Sequence, residues 1–388
     1  MTLPRLYVAL LCLVLTAVPG FPADESPRFA AYPDGVYVTR IGDAGIPVIL
    51  KPGATAPVVE VQLWVHAGSK NEPAPIRGIS HYLEHLFYRG TSKRGPLENR
   101  LEIIDVGGVT TAGTWYDWTY YRNKVRSADL ERAIDTLTDS LMDLTLAPEA
   151  VEAERRVVGS EIRLREDDPG IYAWEESMRL LFPDHPYGER IIGDFETTGR
   201  ITQADFRDYY QRSYHPDNAA WVIVGDYDPE VALDMLEERL GSFSRPAEPR
   251  SAPAVPDDPP GYQQVLRTKP VSEPSLSLAF RMPGFRHPDR PAAEAIAHML
   301  VEREDSLLET IRLEGTAGTT SGGYTILEDA GMLTLEATPA PETTIEHLLS
   351  EVVGVVRDLQ EGFNPNYLAV TKQALIQQIT SGRDTTDR

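Results

Sequence analysis

Residues 78–90 read Gly78-Ile-Ser-His81-Tyr-Leu-Glu84-His85-Leu-Phe-Tyr-Arg-Gly90. The two histidines are four positions apart, so in a helix their imidazoles lie on one face, one turn apart. That geometry suits a single metal ion. Glu84 projects from nearly the same face and can reach a water on the metal without being a ligand, which predicts that it is the catalytic general base. A competing interpretation is a solvated helix face with no metal.

A catalytic zinc site has three protein ligands and leaves its fourth position to water. The helix predicted to begin at Pro148 carries Val151, Glu154, Val158 and Glu161 at spacings of 3, 4 and 3, which form one stripe. The valines indicate that the stripe is buried, and buried carboxylates need a positive partner such as a dication. Glu161 is therefore the predicted third ligand of one Zn²⁺ per chain. Glu154, two turns earlier, is predicted to orient a ligand imidazole or shape the field around the water.

The order of predicted elements occurs twice along the chain. A strand at Val58–Val65 precedes a loop and a helix near Ile79 to Tyr88, and a strand at Ser275–Phe280 precedes a loop and a helix near Ala292 to Leu300. We therefore predict an α+β protein of two similar domains, each a mostly antiparallel sheet packed with helices. One face of each sheet is expected to lie under helices and the other to be partly open.

The proline-rich segment 244–260 holds six prolines and no apolar periodicity, so it is predicted to link the two domains. The expected boundaries are a catalytic zinc-binding domain at 28–243 and a second, non-catalytic homologous domain at 261–388. Only nine residues follow a helix that ends near Ile379. The second copy is thus expected to be short at its C-terminus, either as a fragment or because its sheet is smaller.

The first 23 residues have the layout of a signal peptide, with an apolar run from Leu6 to Val18 before Pro19. The run is too short to span a membrane, so we expect a periplasmic or secreted protein without a membrane anchor. The only cysteine, Cys12, would leave with this segment. A net charge of −22 argues against nucleic acid as a partner. The charge would attract basic peptides, or it simply keeps an exported protein soluble.

Several further segments accompany the His-x-x-Glu-His motif, namely 67–72, 107–108, 114–121, 185–188, 214–218 and 224–226. Together they resemble the pitrilysin or insulinase family of inverted zinc metallopeptidases, which includes the mitochondrial processing peptidases, insulin-degrading enzyme and bacterial periplasmic zinc proteases. The resemblance puts the zinc ligands on His81, His85 and Glu161, the base on Glu84 and a second glutamate of the site on Glu154. It implies an endopeptidase that hydrolyses peptides or small unfolded proteins inside a two-subunit clamshell.

Two positions depart from the family pattern. The substrate-binding strand usually carries Asn-Ala, where this chain has Thr111 and Ala112. The second domain usually supplies an Arg and, seven positions on, a Tyr that hold the substrate carbonyl; Arg312 is present, but Thr319 stands in place of the Tyr. Tyr324, five positions further on, is a candidate substitute for the missing Tyr, although it is misaligned.

Losing the tyrosine donor would weaken stabilisation of the tetrahedral intermediate. The resemblance therefore favours a heterodimer with a homologous subunit that lacks zinc, over a homodimer. The alternative is a catalytically weak structural or peptide-binding subunit of the same family.

Overall fold

The structure is a computed structural model that describes residues 28–32, 35–53, 56–245, 254–255, 261–362 and 365–381. The predicted signal peptide and most of the predicted linker lie outside the described residues. Contacts divide the chain into two compact units. The first holds the described residues up to Arg163 and those from Arg190 to residue 245; the second holds Leu164–Glu189 and the described residues from 254 onward.

The first unit is built on a seven-stranded sheet in the order β1-β2-β3-β7-β4-β6-β5. Its strands are β1 (Ala30–Tyr32), β2 (Val36–Ile41), β3 (Ile46–Pro52), β4 (Val58–Val65), β5 (Val109–Thr114), β6 (Thr119–Arg126) and β7 (Ala219–Gly225). Neighbouring strands pair antiparallel, except that β3 and β7 are parallel. The predicted strand Val58–Val65 is confirmed with both of its bounds.

The α-helices occur in runs between groups of strands, and five of them follow one another between β6 and β7. They are α1 (Ile79–Leu86), α2 (Glu98–Asp105), α3 (Leu130–Met142), α4 (Pro148–Asp167), α5 (Pro169–Leu181), α6 (Phe195–Arg200), α7 (Gln203–Ser213), α8 (Pro229–Leu240), α9 (Arg290–Ala297), α10 (Leu307–Leu313), α11 (Ile345–Glu361) and α12 (Pro365–Ser381). None of the helices in the described part of the chain is long and apolar enough to cross a membrane.

Helices cover one face of the seven-stranded sheet. Val61 and Leu63 of β4 share a buried core with Leu83 and Leu86 of α1 and with Phe87 just after it. Because apolar side chains alternate along the strand, this face excludes water and fixes α1 against the sheet.

The opposite face was expected to be partly open, and this is wrong for its central strands. Trp64 of β4 stacks on Tyr120 with ring centroids 5.2 Å apart and meets Trp118 edge-on at 5.1 Å. The polar side chains of the same face bond to one another: Gln62 donates to Glu60 at 2.5 Å, and Trp64 Nε1 donates to Gln62 at 2.8 Å. Large rings and internally satisfied polar groups therefore bury this face as well.

The second unit contains an antiparallel sheet of three strands among the described residues, in the order β8 (Leu276–Pro283), β10 (Ala330–Pro339) and β9 (Ala317–Ile326). Helix α9 continues as a π-helix at His298–Glu302. Leu300, Leu333 and Leu348 form part of a separate apolar core. The predicted α+β fold of two similar domains is thereby confirmed, with a smaller sheet in the second.

Candidate metal centre

The start of helix α1 is held by a buried carboxylate. Glu72 accepts the N–H of Gly78 at 2.7 Å through Oε2 and the N–H of Ser80 at 2.8 Å through Oε1. These amides belong to the first turn, whose N–H groups have no partner within the helix. Burial raises the pKa of Glu72 to about 7, although both amide bonds oppose the shift. Gly78 has φ 91°, and a Cβ there would lie 2.5 Å from the carbonyl oxygen of Ile192, so glycine is required.

Helix α1 is also tied to the two helices that pack against it. Tyr82 is fully buried, and its hydroxyl donates to the carbonyl oxygen of Val151 in α4 at 2.5 Å. The hydroxyls of Ser80 and Tyr209 in α7 lie 2.6 Å apart. These bonds set the register of α1 against α4, which is what brings the predicted ligands of the two helices together.

The three predicted zinc ligands converge in the first unit. Oε2 of Glu161 lies 3.5 Å from Nε2 of His81 and 3.6 Å from Nε2 of His85, and one ligand atom from each residue lies within 4.8 Å of the others. A tetrahedral ion with bonds of about 2.0–2.2 Å separates its ligand atoms by roughly 3.3–3.6 Å. The donor set and its spacing therefore fit zinc. Among the described residues, no other histidine joins a group of three potential ligands.

Burial differs among the three residues. His81 is 7% exposed, whereas the side chain of Glu161 is 31% exposed. The stripe on α4 was predicted to be buried, and Val151, Glu154 and Val158 are buried while Glu161 is only partly so. Glu161 is therefore the most solvent-accessible of the three residues.

Glu154 lies behind His85, on the side away from Glu161. Its Oε2 is 3.0 Å from Nδ1 of His85, and its Oε1 contacts the guanidinium of Arg89. Burial opposes ionisation of Glu154, but the bond from His85 and the charge of Arg89 lower its pKa below the usual range. Burial by itself would lower the pKa of His85, yet the bonds to Glu154 and Glu161 and the charge of Glu84 raise it to about 9. The carboxylates thus create a field that favours a cation at this position.

Glu84 is held by the neighbouring strand. The hydroxyl of Thr114, the last residue of β5, donates to Oε2 of Glu84 at 2.7 Å. Thr111 and Ala112, the predicted substrate-binding residues, lie on the same strand, and Thr111 Oγ1 accepts from Nε of Arg122 at 3.0 Å. A threonine hydroxyl that accepts one bond can also donate one.

The remaining candidates lie in the second unit. Arg312 in α10 is exposed and bonds to Glu309, with Nε 2.6 Å from Oε1. The hydroxyl of Thr319 is 2.9 Å from that of Thr338. Tyr324 is buried in the core, and its hydroxyl donates to the carbonyl oxygen of Pro283. Tyr324 is therefore a packing residue here, and the idea that it replaces the missing tyrosine is wrong.

The contacts made by Glu72, Arg89 and Thr114 were not predicted from the sequence. All three residues belong to segments that carry the family resemblance or the motif. The partners of Thr114 and Arg89 are remote in the chain, since Thr114 and Glu84 are separated by 30 positions and Arg89 bonds to Glu154 of another helix. Glu72 bonds only six and eight positions away, so a carboxylate just before the first turn of α1 was a signal that could have identified its contact.

Two family profiles match the chain. "Insulinase (Peptidase family M16)" matches residues 48–193, and "Peptidase M16 inactive domain" matches residues 200–375. The first match contains the whole cluster of His81, His85 and Glu161, together with Glu84. The description "inactive domain" applies to the part of the chain that follows the cluster.

Known relatives agree with these matches. An uncharacterized zinc protease of Mycobacterium leprae is 29% identical over 340 residues, covering 86% of this chain and 76% of the relative. The beta subunit of the mitochondrial-processing peptidase of Blastocladiella emersonii is 28% identical over 206 residues, covering 53% of this chain and 44% of the relative. A solved protease from Helicobacter pylori shares the fold with a TM-score of 0.82 at 23% identity, covering 90% of this chain and 86% of that one. The resemblance predicted from the sequence is confirmed, and the chain belongs to peptidase family M16, the insulinase and pitrilysin family.

Proposed function

We propose that the chain is an exported zinc-dependent endopeptidase, periplasmic or secreted, in which His81, His85 and Glu161 hold the metal. The single observation that carries the proposal is the convergence of two imidazoles and a carboxylate from α1 and α4, with Glu84 on the same helix as the imidazoles. Three protein ligands with an open side are the arrangement of catalytic rather than structural zinc.

Zinc in such a site supplies a Lewis acid that makes water a better nucleophile at neutral pH and polarises a carbonyl group. Glu84 accepts the proton of the attacking water and later delivers it to the leaving amine. Thr114 donates to one oxygen of Glu84 and so helps to fix the orientation of the carboxylate that would accept this proton. Glu154 holds Nδ1 of His85, which leaves Nε2 for the metal.

The substrate is proposed to be an extended peptide or a small unfolded protein. Strand β5 ends the seven-stranded sheet, with β6 as its neighbour among the described strands. An edge strand can accept a peptide through main-chain hydrogen bonds, which selects for conformation more than for one side chain. Thr111 and Ala112 would lie beside that peptide, and Thr111 can donate its hydroxyl proton to it.

The working enzyme is proposed to be a heterodimer with a homologous subunit that lacks zinc, with a homodimer as the alternative. Support comes from the second unit, where Thr319 takes the place of a tyrosine and Arg312 is bound to Glu309. A second subunit could supply a free Arg and Tyr to the substrate carbonyl. One relative, the beta subunit of mitochondrial-processing peptidase, is itself named as a subunit.

The test compares wild-type protein with Glu84→Gln for zinc content and for cleavage of a quenched peptide library, alone and with a co-produced homologue. Glu149→Gln, an exposed carboxylate at the start of α4, is the matched control. We expect zinc in all three proteins, and chelator-sensitive cleavage in the wild type and Glu149→Gln only. Cleavage that persists in Glu84→Gln would refute the assigned base.

A non-catalytic peptide-binding or structural subunit is the second candidate. The observation in its favour is that the second unit offers no tyrosine at position 319 and uses Tyr324 in its core. Bound zinc without turnover, alone and with every homologous partner, would support this function instead.

A further inference from the structure

Arg89 lies just beyond helix α1, and its backbone N–H donates to Leu86 at 2.9 Å. This turn carries the guanidinium to Oε1 of Glu154. The Arg89 side chain is 27% exposed, whereas that of Glu154 is 2% exposed. A solvent-accessible cation therefore meets a buried carboxylate of α4.

The two oxygens of Glu154 have different partners. Oε1 contacts Arg89, and Oε2 lies 3.0 Å from Nδ1 of His85. A carboxylate free to rotate could exchange these oxygens or turn away from the imidazole, whereas an ion pair at one buried oxygen favours a single orientation of the carboxylate. Arg89 thereby determines where the acceptor for His85 lies.

The orientation of His85 matters because its two ring nitrogens face opposite carboxylates. Nδ1 faces Glu154, and Nε2 is 3.6 Å from Oε2 of Glu161, on the side of His81. A hydrogen bond that fixes Nδ1–H leaves the lone pair on Nε2, which is the form that ligates a metal. Rotating or releasing Glu154 would loosen that ligand.

We propose that Arg89 is a positioning residue for the metal centre, which clamps Glu154 so that His85 presents Nε2 to zinc. The proposal rests on the proposed function, because it takes the cluster to be the zinc site. Arg89 would then help to retain the metal, in addition to the backbone bond by which it follows the C-terminal end of α1. A lysine at this position would keep the positive charge but lack the planar guanidinium, so it should perform the role only partly.

The experiment measures zinc affinity by competition with a chromophoric chelator for wild type, Arg89→Met and Arg89→Lys. Lys93→Met is the matched control, since Lys93 is an exposed cation four residues further on and lies 3.9 Å from Asp139. We expect Arg89→Met to weaken zinc binding about 10- to 100-fold, the range found when partners of metal ligands are removed. Arg89→Lys should recover part of the loss, and Lys93→Met should match the wild type.

A double-variant cycle separates clamping from general destabilisation. In a Glu154→Gln background, Arg89→Met should weaken zinc binding little further, because the clamped group is already gone. The absorption spectrum of the cobalt-substituted proteins should change in Arg89→Met and stay like the wild type in Lys93→Met. If Arg89→Met proves unfolded, Arg89→Lys in the two backgrounds gives the same comparison.

Zinc affinity of Arg89→Met equal to that of the wild type, or fully additive losses in the cycle, would overturn the proposal. A wild-type protein that binds no zinc would instead overturn the proposed function. The two failures are thus distinguishable within one set of measurements.

Discussion

At the scale of single residues, the hydroxyl of Thr114 helps to position the proposed base, Glu84. Thr114 donates to Glu84 at 2.7 Å and contacts the hydroxyl of Thr119 only at 3.5 Å. Hydrogen bonds to charged groups contribute roughly 1.5–3 kcal/mol, so losing this bond is large enough to displace the carboxylate of Glu84.

We predict that Thr114→Val lowers kcat about 10- to 100-fold, since 1.36 kcal/mol corresponds to a tenfold change in rate. Thr114→Ser keeps the hydroxyl and should retain most activity. Thr110→Val is the control, because Thr110 is on the same strand and donates to Tyr88 at 3.2 Å. Steady-state kinetics on a quenched peptide, with zinc content measured in parallel, checks the prediction; equal losses in the Val and Ser variants would contradict it.

Some residues of the site can be predicted from the sequence and others cannot. His81 and His85 can be paired from spacing alone, because helical periodicity relates residues within α1. Glu161 can be added because the stripe on α4 needs a positive partner and because the family resemblance puts a ligand there. Arg89 and Thr114 cannot, since nothing in the spacing states which strand or helix lies opposite them. Tyr324 was placed wrongly for the same reason: its position in the chain does not show that its hydroxyl bonds to Pro283 inside the core.

At the scale of elements, helix α1 depends on the carboxylate that caps its first turn. Glu72 is buried, accepts two amides and has a pKa raised to about 7 by burial. In the unfolded chain its pKa is near 4.5. The folded state therefore binds the Glu72 proton more tightly than the unfolded chain does. As the pH rises from below 4.5 to above 7, the ionisation of Glu72 lowers the free energy of unfolding.

We predict that the stability difference between wild type and Glu72→Gln changes with pH in this window. Between about pH 4.5 and 7 the wild type should lose up to ~3 kcal/mol relative to Glu72→Gln, at 1.36 kcal/mol for each pKa unit. Urea unfolding of both proteins with a chelator present, at pH 5 and at pH 8, measures the difference without zinc linkage. His85 titrates in both proteins, so its contribution cancels. A difference that is the same at both pH values would show that Glu72 ionises normally in the fold.

The elements themselves were predicted with uneven success. Val58–Val65 is a β-branched and aromatic run, and both of its bounds were right. The prediction of a partly open second face was wrong for the central strands, because Trp64 of β4 meets Tyr120 of β6 and Trp118 just before β6 only through the pairing of these two strands. The pattern of residue types within a strand identifies the strand. Burial of the sheet face away from the helices depends instead on residues far along the chain.

At the scale of the whole molecule, all three proposed ligands belong to one of the two units, and contacts cluster within each unit. A ligand that binds only the folded state stabilises the part of the structure it binds, by about 2.7 kcal/mol at a hundredfold excess over Kd. Zinc should therefore stabilise the first unit and leave the second largely unaffected.

We predict that free zinc at a hundredfold excess over Kd slows hydrogen exchange of the most protected amides in β4 about 100-fold, since this corresponds to about 2.7 kcal/mol. Amides of β10 in the second unit should exchange at unchanged rates. Exchange followed by mass spectrometry, with His81→Ala as the variant that should not respond, measures both sheets in one experiment. Equal slowing of exchange in β4 and β10 would mean that the two units unfold together. Stabilisation at the metal centre would then protect every amide that exchanges only through global unfolding. If exchange slowed in neither sheet, zinc would not bind the folded protein, and the cluster could not be assigned as a metal centre.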